Sequence, residues 1–263
     1  PIAKLNVVVS DLTGSSATAA RGTTFTTTVD GTSYNYIVKD DTTISPVSGV
    51  YTFSELPVYE GTLVNNKYTV DVTNADQRFL IRNKNADTTT LKVSVQNSST
   101  DSTTATYTKS TDLADVSSTS TVYFLEGAED EQYEVIFGDG VLGKALSTGN
   151  IVTLSYIVTS GVDSNGATSF SLSGNIAGSS SATVTTASNS GGGSLPETAD
   201  SIRFNAPKQF ASQNRAVTTK DYEARVKTIF PNAKSVQVWG GEDNSTPVYG
   251  RVYISISPKT GTT

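Results

Sequence analysis

Apolar and polar residues alternate with a period of two over much of the first 190 positions, the spacing that turns one side of an extended chain toward a core and the other toward water. Tyr34, Tyr36 and Val38 fall on one face, Ser33 and Asn35 on the other, and Asp30-Gly31 just before them has the residue types of a tight hairpin turn. Short runs of this kind, separated by turn signals, continue from Lys4 to about Val95. The clearest β region is Tyr123 to Val158. There Tyr133, Val135 and Phe137 alternate with Glu134 and Ile136, and after a Gly-rich turn Val152, Leu154, Tyr156 and Val158 share a face opposite Ile151, Thr153, Ser155 and Ile157. These two runs are expected to form an antiparallel pair.

Two stretches break the alternation. Asn97 to Thr121 is almost wholly Ser, Thr and Asp, and reads as a loop or weak edge strand with mobile polar parts. Ser171 to Gly193 is Ser/Thr/Gly-rich, ends in three glycines and reads as a linker. The period then lengthens. Ser194 and Glu197 fit a capping box, Ala199, Ile202 and Ala206 lie at helical spacing, and Pro207 is expected to stop that helix. A second helix is marked by the Thr218/Asp221 capping box, by Val217 and Tyr222 at the hydrophobic-staple positions, and by a Tyr222, Val226, Ile229, Phe230 stripe ended by Pro231. Two strands follow, Ser235 to Trp239 and Gly250 to Ser257. The expected fold is mainly β with a C-terminal α+β unit: an N-terminal β domain with polar loops (1–121), a central β domain (122–190), and a two-helix, two-strand segment (191–263) expected to be incomplete, because two strands alone are barely self-supporting.

Composition narrows the function classes. Of 263 residues, 74 are Ser or Thr, a balance suited to strands and turns. There is no Cys and no His, which removes disulfides, thiolate zinc sites and the usual general base. The chain starts at Pro1 and contains no Met, as expected of a piece of something longer. A net charge of −6 and a pI near 4.7 argue against a phosphate-backbone partner. No apolar run approaches the roughly 20 residues of a membrane span.

Three features invite a chemical reading. Gly138-Asp139-Gly140-Val141-Leu142-Gly143 has the G-x-G-x-x-G spacing and follows a strand, but a nucleotide site needs a helix N-terminus there, and the next turn signal comes at Gly149-Asn150. A tight glycine turn fits better. Glu126, Glu129, Asp130, Glu131 and Glu134 could hold calcium or supply paired acids, yet they complete no calcium-loop pattern, and the default is a solvated or partner-facing acidic edge. Arg203, Lys208, Arg215, Lys220, Arg225 and Lys227 concentrate positive charge near the two helices; they are either solubilising or a face for an acidic surface on another subunit. Trp239, before two glycines, reads as a core or hinge anchor. No catalytic residue, metal or cofactor is expected.

Specific runs carry a resemblance. Leu125-Glu126-Gly127 with Tyr133 to Gly143, then Gly149 to Val152 and Asn165-Gly166-Ala167, resembles the central domain of baseplate J-like proteins. Glu197 to Arg203 with Ala206-Pro207, and Arg215 to Tyr222, is similar to that family's most recognisable signature. Arg21-Gly22-Thr23-Thr24-Phe25 is similar to the motif opening its β domain, with Ala20 where a Pro is usual. The likeness covers about three quarters of the chain and points to the wedge subunits of T-even-like phages. It implies a structural, non-enzymatic wedge component that assembles with other wedge proteins and like subunits in a six-fold ring around the tail hub, as a homo-oligomer in its full-length form, and changes its contacts on sheath contraction. It also implies flanking regions outside this sequence. Glu126, Glu129, Glu131, Gly138, Asp139, Gly140, Arg203, Arg215, Asp221 and Tyr222 are the candidate interface or structural positions: Gly138 and Gly140 for a tight turn, Asp221 for capping, Tyr222 for packing, Arg203 and Arg215 for bridging carboxylates. A glycan-binding tail-fibre or adhesin module is the alternative from another class, and a glycosidase a third.

Overall fold

The structure is a computed structural model that describes residues 1–111, 113–195, 197–212, 215–230 and 233–258. In chain order the strands are β1 (Ile2–Val9), β2 (Ala17–Ala19), β3 (Thr24–Val29), β4 (Thr32–Val38), β5 (Thr42–Ile44), β6 (Tyr51–Glu60), β7 (Thr62–Thr69), β8 (Phe79–Ile81), β9 (Ala86–Gln96), β10 (Thr104–Lys109), β11 (Val122–Gly127), β12 (Tyr133–Phe137), β13 (Ile151–Val158), β14 (Ser171–Leu172) and β15 (Thr183–Gly191). The helices α1 (Ala199–Ser212) and α2 (Thr219–Ile229) and the strands β16 (Ala233–Gly240) and β17 (Val252–Pro258) complete the chain, which is mainly β with a C-terminal α+β segment.

Ile2–Ser160 with Gly166–Ser190 forms one compact unit containing two large sheets. The first has the order β14-β3-β4-β6-β1-β15. Its interior alternates as the sequence predicts: Ala3, Leu5, Val7 and Val9 of β1 pack with Phe25, Tyr36, Val38, Tyr51, Phe53, Leu56 and Val58. The β3–β4 hairpin turns at Asp30-Gly31, both at positive φ (48° and 81°), as a two-residue primed turn requires. The second sheet has the order β7-β13-β9-β10-β11-β12-β8 and buries Val93, Val95, Tyr107, Tyr123, Val135, Val152, Leu154 and Tyr156. It rolls until its two edge strands meet through side chains, with the Tyr68 hydroxyl donating to the Leu80 carbonyl (2.6 Å) and the Tyr68 and Phe79 rings packed edge to face.

The topology is an insertion. β1, β3, β4 and β6 build most of the first sheet while β2 and β5 pair separately, Gly61 alone separates β6 from β7, the entire second sheet runs from β7 to β13, and β14 and β15 then return to the first. Pairing therefore crosses the division expected at residues 121/122. β10 pairs with β11 across it, and β9 with β13.

Several local expectations are corrected. β12 and β13 do not pair with each other; β12 lies between β11 and β8, and β13 between β7 and β9, because the glycine loop after β12 carries the chain to another part of the roll instead of reversing it. The polar stretch 97–121 contains β10, an interior strand of the sheet, held by buried Tyr107 and by ladders on both sides. The Ser/Thr/Gly stretch 171–193 is not a linker: it supplies both edge strands of the first sheet, where polar outward side chains are usual. In β13 the face alternates through Tyr156, and a register shift between Ser155 and Ile157 buries Ile157 as well.

Residues Gly191 onward belong to a second unit, together with Pro1 and Gly161–Asn165. α1 continues through Pro207 to Ser212; the proline deprives the Arg203 carbonyl of its helical donor, but on this exposed helix water can take that place. Its first turn starts at Thr198, whose Oγ1 accepts from the Ser201 amide (3.3 Å), and not at Ser194; Pro196 of the expected cap lies outside the described residues. α2 carries the predicted capping box: the Asp221 amide donates to Thr218 Oγ1 (3.3 Å), and the Thr218 amide donates to Asp221 Oδ2 (2.9 Å). Pro231, its expected stop, lies outside the described residues. β16 and β17 pair antiparallel.

Candidate functional site

The acidic segment Glu126–Glu134 forms the β11–β12 hairpin. Glu129, Asp130 and Glu131 make a short 3-10 turn in which Asp130 and Glu131 take positive φ (56° and 58°). Glu126, Glu129, Asp130 and Glu131 are exposed. Glu126 stands directly across the ladder from Glu134, an unfavourable pairing of like charges. Arg78 relieves it by gripping Glu134 Oε2 with Nη2 (2.6 Å) and Nε (3.0 Å), and that carboxylate in turn raises the guanidinium pKa. Among the described residues no group of three or more acids is disposed to hold a metal ion.

The glycine motif lies at the opposite end of β12, about 16 Å of strand away. Asp139 Oδ1 accepts from the Val141 (2.9 Å) and Leu142 (2.8 Å) amides, which hold its carboxyl below the usual range, and the Gly140 amide donates to the Gly143 carbonyl (3.0 Å). Gly138 must be glycine, since a Cβ there would overlap the Gly143 backbone. The loop is stitched to the Ser117–Ser120 turn by the Gly143 amide on the Ser117 carbonyl (3.1 Å) and the Lys144 amide on the Ser120 carbonyl (2.9 Å). No helix follows, so there is no dipole end for a pyrophosphate. At its tip the loop exposes two apolar side chains, Val141 and Leu142.

The basic positions are distributed over both helices. Arg203 pairs with Asp200 (3.3 Å) and Lys220 with Glu223 (3.2 Å), both exposed contacts within one helix. Arg215 lies before α2 and lowers the Asp221 pKa, after the larger effect of the Thr218 hydrogen bonds. The side chain of Lys208 lies outside the described residues. Tyr222 is half-buried, while Val217, its expected staple partner, is exposed. Trp239 stacks on Tyr253 (5.7 Å, 12° between planes) and donates Nε1–H to Asn244 Oδ1 (2.9 Å), an anchor for the β16–β17 turn.

The candidate residues thus fall into three groups: an acidic hairpin and an apolar-tipped glycine loop at opposite ends of β12, and a charged helix pair. Sequence reasoning missed a fourth, the joint between the two large sheets. Its only sequence signal was the Arg21-Gly22-Thr23-Thr24-Phe25 motif, because the groups Arg21 meets on the inserted sheet, at Thr90 and Ser155, are 69 and 134 residues away.

Comparison with known proteins falls on these structural divisions. Residues 63–162 match the family model for the third domain of the bacteriophage baseplate wedge protein gp6, and residues 218–263 match that for baseplate structural protein gp6, C-terminal domain I. The first match covers the inserted sheet and the second begins at the α2 N-cap. Both family models describe parts of a structural protein of the bacteriophage baseplate. Among curated proteins the chain is similar to baseplate wedge protein gp6 of Enterobacteria phage T4, 25% identical over 270 residues, a span of 93% of this chain and 39% of that protein. The chain therefore covers well under half the length of this relative.

Proposed function

We propose that this chain is a portion of a baseplate wedge subunit of a contractile phage tail, within the baseplate J-like likeness of its motifs. It joins other wedge proteins and like subunits in a six-fold ring around the tail hub, is assembled in the host cytoplasm, resides in the virion, and changes contacts when the sheath contracts. Its work is mechanical. The observation that carries this reading is the coincidence of the 63–162 match with one complete folded sheet, so that the likeness covers a structural unit and not scattered motifs. The acid balance of the chain supports a protein partner over a nucleic acid.

Ring closure requires repeated, specific contacts between subunits. The exposed acidic hairpin (Glu126, Glu129, Glu131), the tip of the Gly138-Asp139-Gly140 loop and the helix pair bearing Arg203 and Arg215 are the surfaces proposed for them, while Asp221 and Tyr222 shape α2. A suppressible stop codon placed in the coding sequence of the parent genome tests the reading. In the non-suppressing host, electron microscopy should find complete heads without tail baseplates. Intact baseplates on tails from that host would contradict it.

A further inference from the structure

The inserted sheet is joined to its host sheet by two closely spaced chain crossings, the arrangement of a hinge, yet the residues there fill the joint. Gly61, the single residue between β6 and β7, donates its amide to the Asn35 carbonyl (2.9 Å) at φ +133°, and a Cβ on it would overlap the Val158 carbonyl oxygen and the Ile157 side chain. The outgoing and returning crossings are tied together. Glu60, 4% exposed at the end of β6, accepts from the Thr159 hydroxyl (2.6 Å) and the Ser160 amide (2.9 Å) just past β13.

A third connection comes from outside the crossings. The β9–β13 ladder is interrupted between Ser155 and Ile157, where the paired residue on β9 jumps from Lys92 to Asp87. Arg21, from the loop before β3 of the host sheet, reaches into it. Its Nη2 donates to the Thr90 (3.0 Å) and Ser155 (3.1 Å) carbonyls, its Nε to Ser155 Oγ (3.3 Å), and its Nη1 to the Lys39 carbonyl on the host side. Thr90, 1% exposed, closes the remaining gap: its hydroxyl accepts from the Ile157 amide (2.9 Å) and donates to the Asp87 carbonyl (2.7 Å). The planar guanidinium fork suits several carbonyls from two strands at once, which a lysine ammonium matches poorly. Asp41 Oδ1 accepts from the Arg21 amide (2.6 Å), and Asp40 pairs with Lys92 of β9 (2.8 Å), so the host loop is fixed on both sides of the plug.

We infer that Arg21 plugging the β9–β13 bulge, with Glu60 tying the two crossings and Gly61 closing them, locks the inserted sheet and its host sheet into a single rigid body. The lock does not depend on the wedge reading. If that reading holds, the contraction-linked change takes place away from this joint. Because the chain has no cysteine, spin labels at Thr52→Cys on the host sheet and Thr104→Cys on the inserted sheet report the inter-sheet distance without background. Double electron–electron resonance should give one narrow distribution for the otherwise unchanged chain, and Arg21→Met should broaden it about twofold, as expected when a fixed joint becomes a hinge. Arg21→Lys, which keeps the charge and loses the fork, should also broaden it and covers the case in which Arg21→Met does not fold. A broad distribution before any change at Arg21, or an unaltered narrow one in the folded variants, would overturn the lock.

Discussion

The paired sheets between Ile2 and Ser190 and the helix–strand segment after Gly191 are stabilised in different ways. The sheets bury continuous apolar interiors, with Leu5, Phe25, Tyr36, Val58, Val93, Val152 and Leu154 fully excluded from solvent. In the helical segment α2 buries no residue, and Ile202, Phe204, Phe210, Val217 and Ile229 are exposed. Its buried apolar side chains, among the described residues, are Ala233 and Val238 of β16, to which a capping box, a Trp–Tyr stack and one antiparallel strand pair add order. Burial is cooperative, because each side chain loses contacts when its neighbours move, whereas a cap or a surface pair acts mainly on its own turn. The sheets should therefore respond to single substitutions strongly and as a unit, and the helices weakly and locally.

The largest effect is expected at Gly61→Ala, which combines a positive-φ alanine with overlap against β13; chemical denaturation should show a loss of about 3 kcal/mol or more. Leu154→Ala, which empties the inserted core, should cost about 3 kcal/mol in the same experiment. Thr218→Ala removes the α2 cap and should cost about 1 kcal/mol, read as faster amide exchange confined to the first turn of α2. Ile229→Ala, at an exposed site, should change stability by less than about 0.5 kcal/mol. A large, global effect of this last substitution would break the contrast.

Acid gives a finer comparison. Asp101 is held at about 2 by hydrogen bonds from Asn97 and Thr103, below its ordinary 3.8. A carboxyl depressed on folding stabilises above its unfolded pKa, and that contribution is lost as pH falls through the folded value. The Asn97–Thr103 turn of the sheets should therefore keep its amide protection at pH 4 and lose it progressively toward pH 2, as followed by exchange and carboxyl NMR. Asp221 is also depressed, so the α2 cap should weaken in acid in the same direction.

Much of this organisation is readable in sequence wherever the deciding contacts are local. The Asp30-Gly31 hairpin, the alternation of β12 and of β13 through Tyr156, and the Thr218/Asp221 box depend on neighbours within a few residues, and each forms as its spacing predicts. Strand partnership is non-local and escapes such reading. Nothing in the alternation of Tyr133 to Val158 says that β12 and β13 face different neighbours, or that polar 171–193 supplies edge strands to a sheet begun at Ile2. Polar composition misleads for a physical reason: an edge or rolled strand needs only one inward side chain in two, and in β10 buried Tyr107 suffices. Pro207 misleads because its penalty is least on a solvated helix. Among the candidate positions, Gly138 and Asp221 are legible from turn and cap chemistry, while the role of Arg21, outside them, is not, since the Thr90 and Ser155 carbonyls it meets are brought to it only by the insertion.

As the proposed structural portion of a tail baseplate wedge, this chain has a definite place on the particle. Gold-labelled antibody raised against it, applied to purified tails and viewed by electron microscopy, marks that place. Label is expected at the tail tip around the hub in both extended and contracted particles. Label on the fibres, or none on tails whose baseplates are open to antibody, would contradict it.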